Sequence, residues 1–311
     1  MRRENLKMVA LGVALLLSSP ALSAPALSSP AVAKPLDLTD PDDLIRVMRK
    51  IHCSTEDNHP IFFSWAGEGY SRRAGEADRK LFRVVGMNVR QCVTLDGGAR
   101  GQGYRMVSRE IMLYLDPATG EILRHWHNPW TGEDVTVLHV ANDPVNGRPT
   151  FPSDPEGNAY LAWNGRVQGN DWTMTITIPL FYHNVLQGDY QPYVGGASHA
   201  TEMFNFTGKL GDLTDPGRHT ALDVKVGWVR IAQWLPWMAM QGRDGLMYFH
   251  AASRKISGFE ALPQILQDYI NNEAPEYRAP PPGDDQRPNE TSWSVVMKTV
   301  EGGRLPRGGA N

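Results

Sequence analysis

The stretch "TMTITI", Thr173 to Ile178, decides the reading of the fold. In an extended chain Met174, Ile176 and Ile178 fall on one side and Thr173, Thr175 and Thr177 on the other, the period of two that marks a half-buried antiparallel strand. The same texture runs outward from it, from Ile61 to about Ser257: short β-branched and aromatic runs alternate with turn clusters. "LYLDPATGEILRHW" reads as a hairpin around Asp116 to Gly120, and "HNPWTGEDVTVLHV" as the next one, around Asn128 to Asp134. Further strands are expected over 60–66, 82–94, 104–115, 160–167, 202–207, 224–235 and 246–256. Roughly ten to twelve strands with short connections and no βαβ alternation must either stack or close, because open edges invite aggregation. The expectation is a mainly β fold: a large antiparallel β-barrel with calycin-like closure, a short N-terminal helix and one C-terminal helix packed on the barrel.

"LTDPDDLIRVMRK" supplies the first helix, with Asp40 as cap and Pro41 at its first position. The C-terminal one is read over Phe259 to Asn271, where Phe259, Leu262, Ile265, Leu266 and Tyr269 form an apolar stripe. "PEYRAPPPGDDQRPNETS" is an extended Pro-rich linker, and "SWSVVMKTV" reads as a last edge strand.

The N-terminus has a basic start (Arg2, Arg3, Lys7), an apolar run from Met8 to Leu17, and a small-residue tail in which Ala31-Val32-Ala33 offers a cleavage site. This is an export signal, too short and Pro-rich to span a membrane. "RRENLK" resembles the twin-arginine pattern but lacks its aromatic at Asn5, so twin-arginine and general secretory routes both remain. The expected organisation is a signal over 1–33, one domain over 34–302 and a disordered tail over 303–311, with the mature protein periplasmic or secreted and without stable membrane insertion. The full chain of 311 residues carries a net charge of -3, and losing the basic leader makes it more acidic. That balance argues against nucleic acid as a partner. The two cysteines, Cys53 and Cys92, either pair in an oxidising compartment or stay as separate buried thiols. Neither sits in a zinc-ligand or C-x-x-C spacing.

Several separated stretches together resemble one family. "LYLDPATGEIL", "NPWTGEDVTVLHVANDPVN", "TEMFNF", "WVRIAQWLPWMAMQGRDGLMYFHAASRKI" and "GFEALPQIL" are similar, in order, to the exported bacterial proteins of domain-of-unknown-function family 1838. The resemblance spans nearly the whole mature chain. It implies an export signal and brings no assigned activity or catalytic residues. It includes the histidine of "VLHVANDPV" and not the pair in "RHWHNPWTG".

Two constellations carry chemistry. His125 and His127 share one strand face and His139 lies on the following strand, which is how some β-sheet enzymes hold a three-His zinc with an open position. The alternative is turn and sheet histidines bonded to backbone or water, with no metal or other cofactor, and no Asp or Glu is an evident partner for these imidazoles. The second constellation is a set of polar groups on apolar strand faces, where burial without partners costs several kcal/mol. Arg109 shares a face with Val107, Ile111 and Leu113; Glu202 with Phe204 and Phe206; His139 with Val135 and Val137; Arg230 with Trp228 and Trp234; His250 with Tyr248 and Arg254. If those faces are interior, Arg109, Arg230 and Arg254 hold an anion, Trp228, Tyr248 and Trp163 stack on a planar ligand, and Glu202, His139 or His250 moves a proton. The plainer reading pairs Glu202 with an arginine as a structural salt bridge. The turn "VANDPVNGRP" reads as an Asx-type turn before Pro144.

No G-x-S-x-G elbow, H-E-x-x-H helix, P-loop or strand-linked G-x-G-x-x-G is present. What survives is an exported small-molecule-binding barrel: a cofactor-independent isomerase, lyase or hydrolase for a small hydrophobic or aromatic acid, or a non-catalytic carrier using the same cavity.

Overall fold

The computed structural model describes residues 33–183, 197–240 and 242–303. Residues 1–32 of the expected export signal and the tail beyond Gly303 lie outside the described residues. No helix among the described residues is long and apolar enough to cross a membrane.

Thr173–Ile178 is the centre of a long strand, as its alternation requires, and that strand belongs to an antiparallel sheet of nine. One half is a meander of β1 (Ile61–Arg72), β2 (Arg79–Asp96) and β3 (Gln102–Leu115), edged by β6 (Val140–Asn142). The other half is a meander of β8 (Asp171–His183), β9 (Ala197–Lys209), β10 (Lys225–Ala232) and β11 (Leu246–Ile256), edged by β7 (Arg166–Gln168). The halves join where β11 pairs with β1, so the first and last long strands meet at the middle of the sheet. β4 (His125–His127) and β5 (Asp134–Thr136) form a separate two-stranded ribbon.

The sheet is not the closed barrel expected. Its ladder ends at β6 on one side and β7 on the other, and no pairing joins these edges among the described residues. Both edges are strands of only three residues, which limits the unpaired backbone each presents. Curvature nevertheless brings the halves around one hollow, since Val140 and Asn142 of β6 line the same space as Ile176 and Ile178 of β8. Glycine permits close approach of side chain and backbone within the sheet: a Cβ on Gly86 would sit within 2.5 Å of the Trp65 indole, and one on Gly67 within 2.6 Å of Ala251.

Each end of the concave face is filled. At one end Phe82, Tyr114 and Phe249 pack with Trp126 of β4 and with Trp237. At the other, α1 (Pro41–His52) lays Val47 and Ile51 on Ile61, Phe63, Phe206 and Val226. Lys50 of α1 is fully buried, and its Nζ donates to the carbonyls of Leu213, at 2.9 Å, and Asp215, tying α1 to α2 (Leu210–Thr214). The convex face is covered where β1, β2 and β3 present Phe62, Val85, Met87, Val89, Ile111 and Leu113 to Phe259, Leu262, Leu266 and Ile270. The last two belong to α3 (Gln264–Glu273), the expected C-terminal helix, shortened because 259–261 forms a separate turn.

"SWSVVMKTV" is a helix and not an edge strand: α4 (Ser292–Glu301) starts at a capping box between Thr291 and Ser294. Trp293, Val296 and Val300 are its buried side, a helical spacing that outweighs the β-propensity of the valines. The expected strand over 160–167 is mostly irregular and contributes only its end to β7.

Asp40 caps α1 as the sequence indicates, its Oδ1 accepting from the N–H groups of Asp42, at 2.9 Å, and Asp43, at 3.3 Å. Asp40→Ala is expected to destabilise the protein by about 1 kcal/mol in urea unfolding with an unchanged m-value, and no loss would mean the cap is idle.

Candidate functional site

Between the two packed ends the concave face leaves a cavity of about 360 Å³. The strand register determines what lines it. Along β3 the even residues Met106, Ser108, Glu110, Met112 and Tyr114 face inward, while Ile111 and Leu113 face α3. Glu110 pairs laterally with Asn88 of β2 and Asn142 of β6, and Ser108 with Arg90. From the other half, Arg230 sits between Phe249 of β11 and Glu202 of β9, with Trp228 and Phe204 in the next inward row. Phe63, Trp65, Phe206 and Val226 complete a mainly apolar wall.

Four charged side chains enter this wall. Arg230 Nη1 bonds Glu202 Oε1 at 2.5 Å, so these two neutralise one another. Glu110 has no cationic bonding partner among the described residues; its Oε1 accepts from Asn142 Nδ2 at 2.7 Å. Burial, reinforced by the Glu202 charge across the cavity, raises its pKa above the usual carboxylate value, against smaller opposing effects from Asn142, Arg230 and Arg90. Arg90 stacks over the Phe63 ring at 4.6 Å and donates from Nε to Asn88 Oδ1 at 2.6 Å. Burial, partly offset by the charge of nearby Glu110, lowers its pKa to about 10, which leaves it cationic at neutral pH, and no carboxylate lies within ion-pair distance of it among the described residues.

The Arg90 end is closed by an imidazole from α1 that burial keeps neutral. His52 of α1 meets the Phe206 ring edge-on at 5.5 Å, and burial with the Arg90 and Lys255 charges lowers its pKa to about 3. Lys255 Nζ donates to Lys50 O at 2.7 Å and Thr220 Oγ1 at 2.9 Å. Two buried polar atoms in the cavity wall lack partners among the described residues, Trp65 Nε1 and Asn142 Oδ1.

Of the residues singled out from sequence, Glu202, Arg230 and Trp228 are brought together here, and the first two form the ion pair that the plainer reading described. The others lie elsewhere. Arg109 is on the convex side of β3, bonded to Asp143 at 2.8 Å and to the carbonyls of Glu276, at 2.5 Å, and Ala279. Asp143 also pairs with Arg287, so the supposed Asx turn is a clamp holding the Pro-rich linker. His250 and Arg254 are exposed, because inward positions on β11 are the odd ones, Phe249, Ala251 and Ser253. Tyr248 shares their outer face, stacked on Tyr70 with 5.1 Å between ring centroids and donating to Asp78. Trp163 packs on Trp172 outside the cavity.

The three histidines are not assembled. His125 and His127 are exposed on the β4–β5 ribbon, where His127 Nδ1 bonds Asp134 at 2.9 Å, a partner sequence reading did not find. His139 is set into the molecule, its Nδ1 accepting from the Tyr114 N–H at 3.1 Å, and faces a separate groove with Tyr269 and Arg124. No group of three or more metal-ligating side chains occurs among the described residues.

Glu110 escaped sequence reading because of its strand, as Asn88 and Arg90 did on β2, which is likewise buried on both faces. β3 is buried on both faces, so its apolar odd face looked interior, whereas the even face, carrying the polar minority, lines the cavity.

Residues 58–300 match the family described as "Protein of unknown function (DUF1838)". No curated protein matches the chain.

Proposed function

Since the chain belongs to the DUF1838 family, to which no chemistry is assigned, the functional reading rests on its own cavity, and we propose an exported protein that binds a small hydrophobic or aromatic carboxylic acid. The observation that carries this is Arg90: a guanidinium among aromatic walls, held through Asn88 and a stacked ring, with no carboxylate ion-paired to it among the described residues. Keeping such a charge away from water is expensive unless an anion completes it. A carboxylate fits the planar fork of donors, and Trp65, Phe204, Trp228 and Phe249 form walls for an apolar body. The volume suits a ligand of one or two rings. In this reading the curled sheet acts as a barrel left open along one side, the gap between its short edges serving as the entrance. Export is supported by the leader and by the disulfide between Cys53 and Cys92, a bond that persists in oxidising compartments.

Trp65 and Trp228 provide the test, because an aromatic acid entering the cavity should quench their fluorescence. Arg90→Gln is expected to weaken binding of an arylalkanoic acid by about tenfold to a hundredfold, as charge-assisted hydrogen bonds are worth about 1.5–3 kcal/mol. The amide analogue of the same acid should bind the parent protein correspondingly worse. Equal affinities for acid and amide, or for parent and variant, would overturn the proposal.

A further inference from the structure

Glu110 and Asn142 have no use in the binding reading, and their geometry asks for one. Glu110 is the one cavity carboxyl without a bonded cation among the described residues. Its partner Asn142 is 6 % exposed and uses only half of its amide: Nδ2 donates to Glu110 Oε1 while Oδ1 is buried without a partner. An amide in this position can serve a carboxyl in both protonation states. In one orientation it donates to the carboxylate; turned over, the unpaired Oδ1 accepts from the protonated acid. A wall residue kept only for packing needs neither state.

We infer that Glu110 is a proton-transferring catalytic residue, positioned by Asn142, which enolises a 2-oxo acid bearing an aromatic side chain. The inference rests on the binding reading: the substrate carboxylate sits on Arg90, its ring lies among the aromatic walls, and C3 faces the free oxygen of Glu110. In the step, the Glu110 carboxylate takes a proton from C3. The C3–H electron pair becomes the C2–C3 double bond, and the C2–oxygen π pair moves onto oxygen, giving an enolate that faces the cavity guanidiniums. Returning the proton to oxygen yields the enol; returning a solvent-exchanged one to C3 yields the ketone with a new hydrogen. Nothing is oxidised or reduced, and Glu110 ends as it began. Burial, which raises the Glu110 pKa, strengthens it as a base, while the aromatic walls keep bulk water from competing.

Phenylpyruvate in D2O is the probe, with loss of the C3 proton signal followed by NMR and binding followed by tryptophan fluorescence. The wild-type protein should accelerate exchange above buffer, and Glu110→Gln should lower that acceleration by about a hundredfold or more while binding persists. Asn142→Ser should shift the midpoint of the exchange pH profile as well as its height, which a merely structural role would not do. Binding without accelerated exchange, or exchange surviving in Glu110→Gln, overturns this inference and leaves the binding proposal standing. Absence of phenylpyruvate binding overturns both.

Discussion

Taking the protein from pH 7 to pH 4 is expected to cost about 2–3 kcal/mol of folding stability at each of two histidines, His52 and His139. In the unfolded chain both titrate near 6.5, whereas in the fold burial lowers them to about 3 and about 4, aided by Arg90 and Lys255 for His52 and by Arg124 for His139. A histidine with a depressed folded pKa is stabilising above its unfolded value, and that contribution is lost as pH falls from about 6.5 towards the folded value. The local geometry agrees for His139. Its Nδ1 accepts from the Tyr114 N–H, so a proton arriving there would face another donor, and its Nε2 has no partner among the described residues. Glu110 acts in the opposite sense, since burial favours its neutral form and acid therefore relieves it. The informative quantity is thus the difference between parent and variant. Urea unfolding at pH 7, 5.5 and 4 should show a smaller acid loss in His52→Gln and in His139→Gln than in the parent. Acid slopes identical to the parent's in both variants would refute the assignment.

His52 lies on α1 and His139 on the irregular segment between β5 and β6, and sequence alternation alone discloses the burial of neither. Strand periodicity was legible wherever one face meets solvent. Thr173–Ile178 and the hairpin around Asn128 to Asp134 lie where alternation and turn chemistry put them, while the turn at Asp116 to Gly120 forms but is followed by a single bridge, Leu115 to Ile122, and not by a second strand. The helix after Asp40 is where its cap and proline place it. Closure was not legible, because alternation says which face is buried and nothing about whether the two edges meet. Neither was the interior of β3, where both faces are apolar enough to be core. On β11 the information was present: Met247, Phe249 and Ala251 alternate with Tyr248, His250 and Arg254, a one-sided pattern that places His250 outside. Reading its polar face as a ligand face reversed it. The ion pair of Glu202 with Arg230 was foreseeable from two polar residues on aromatic faces, but Glu110 needed the lateral register with Asn88 and Asn142, which no single strand contains.

Removing the bond between Cys53 and Cys92 is expected to lower stability by about 4 kcal/mol. The sequence left the pairing open; in the fold the two sulfurs are joined across a separation of 39 residues, both cysteines fully buried beside Ile45 and Tyr104. The loss follows mainly from the unfolded chain, which recovers the freedom of a loop of that length when the link is absent. The native state feels the change at a specific place. Cys53 is the residue that ends α1, and Cys92 lies two positions from Arg90 on β2, so the bond fastens the cavity floor to the strand bearing the proposed anion anchor. Cys53→Ala/Cys92→Ala should therefore unfold at lower urea with a m-value at least as large as the parent's, and the amides of α1 should exchange with deuterium faster than those of α3, which packs on the opposite face. Aromatic-acid affinity should fall as well, because α1 carries His52, which closes the cavity beside Arg90. Reductant should leave the variant's unfolding midpoint unmoved while lowering the parent's towards it. A variant as stable as the parent under oxidising conditions would show that the buried cluster around Ile45 and Tyr104 holds α1 in place without the covalent link.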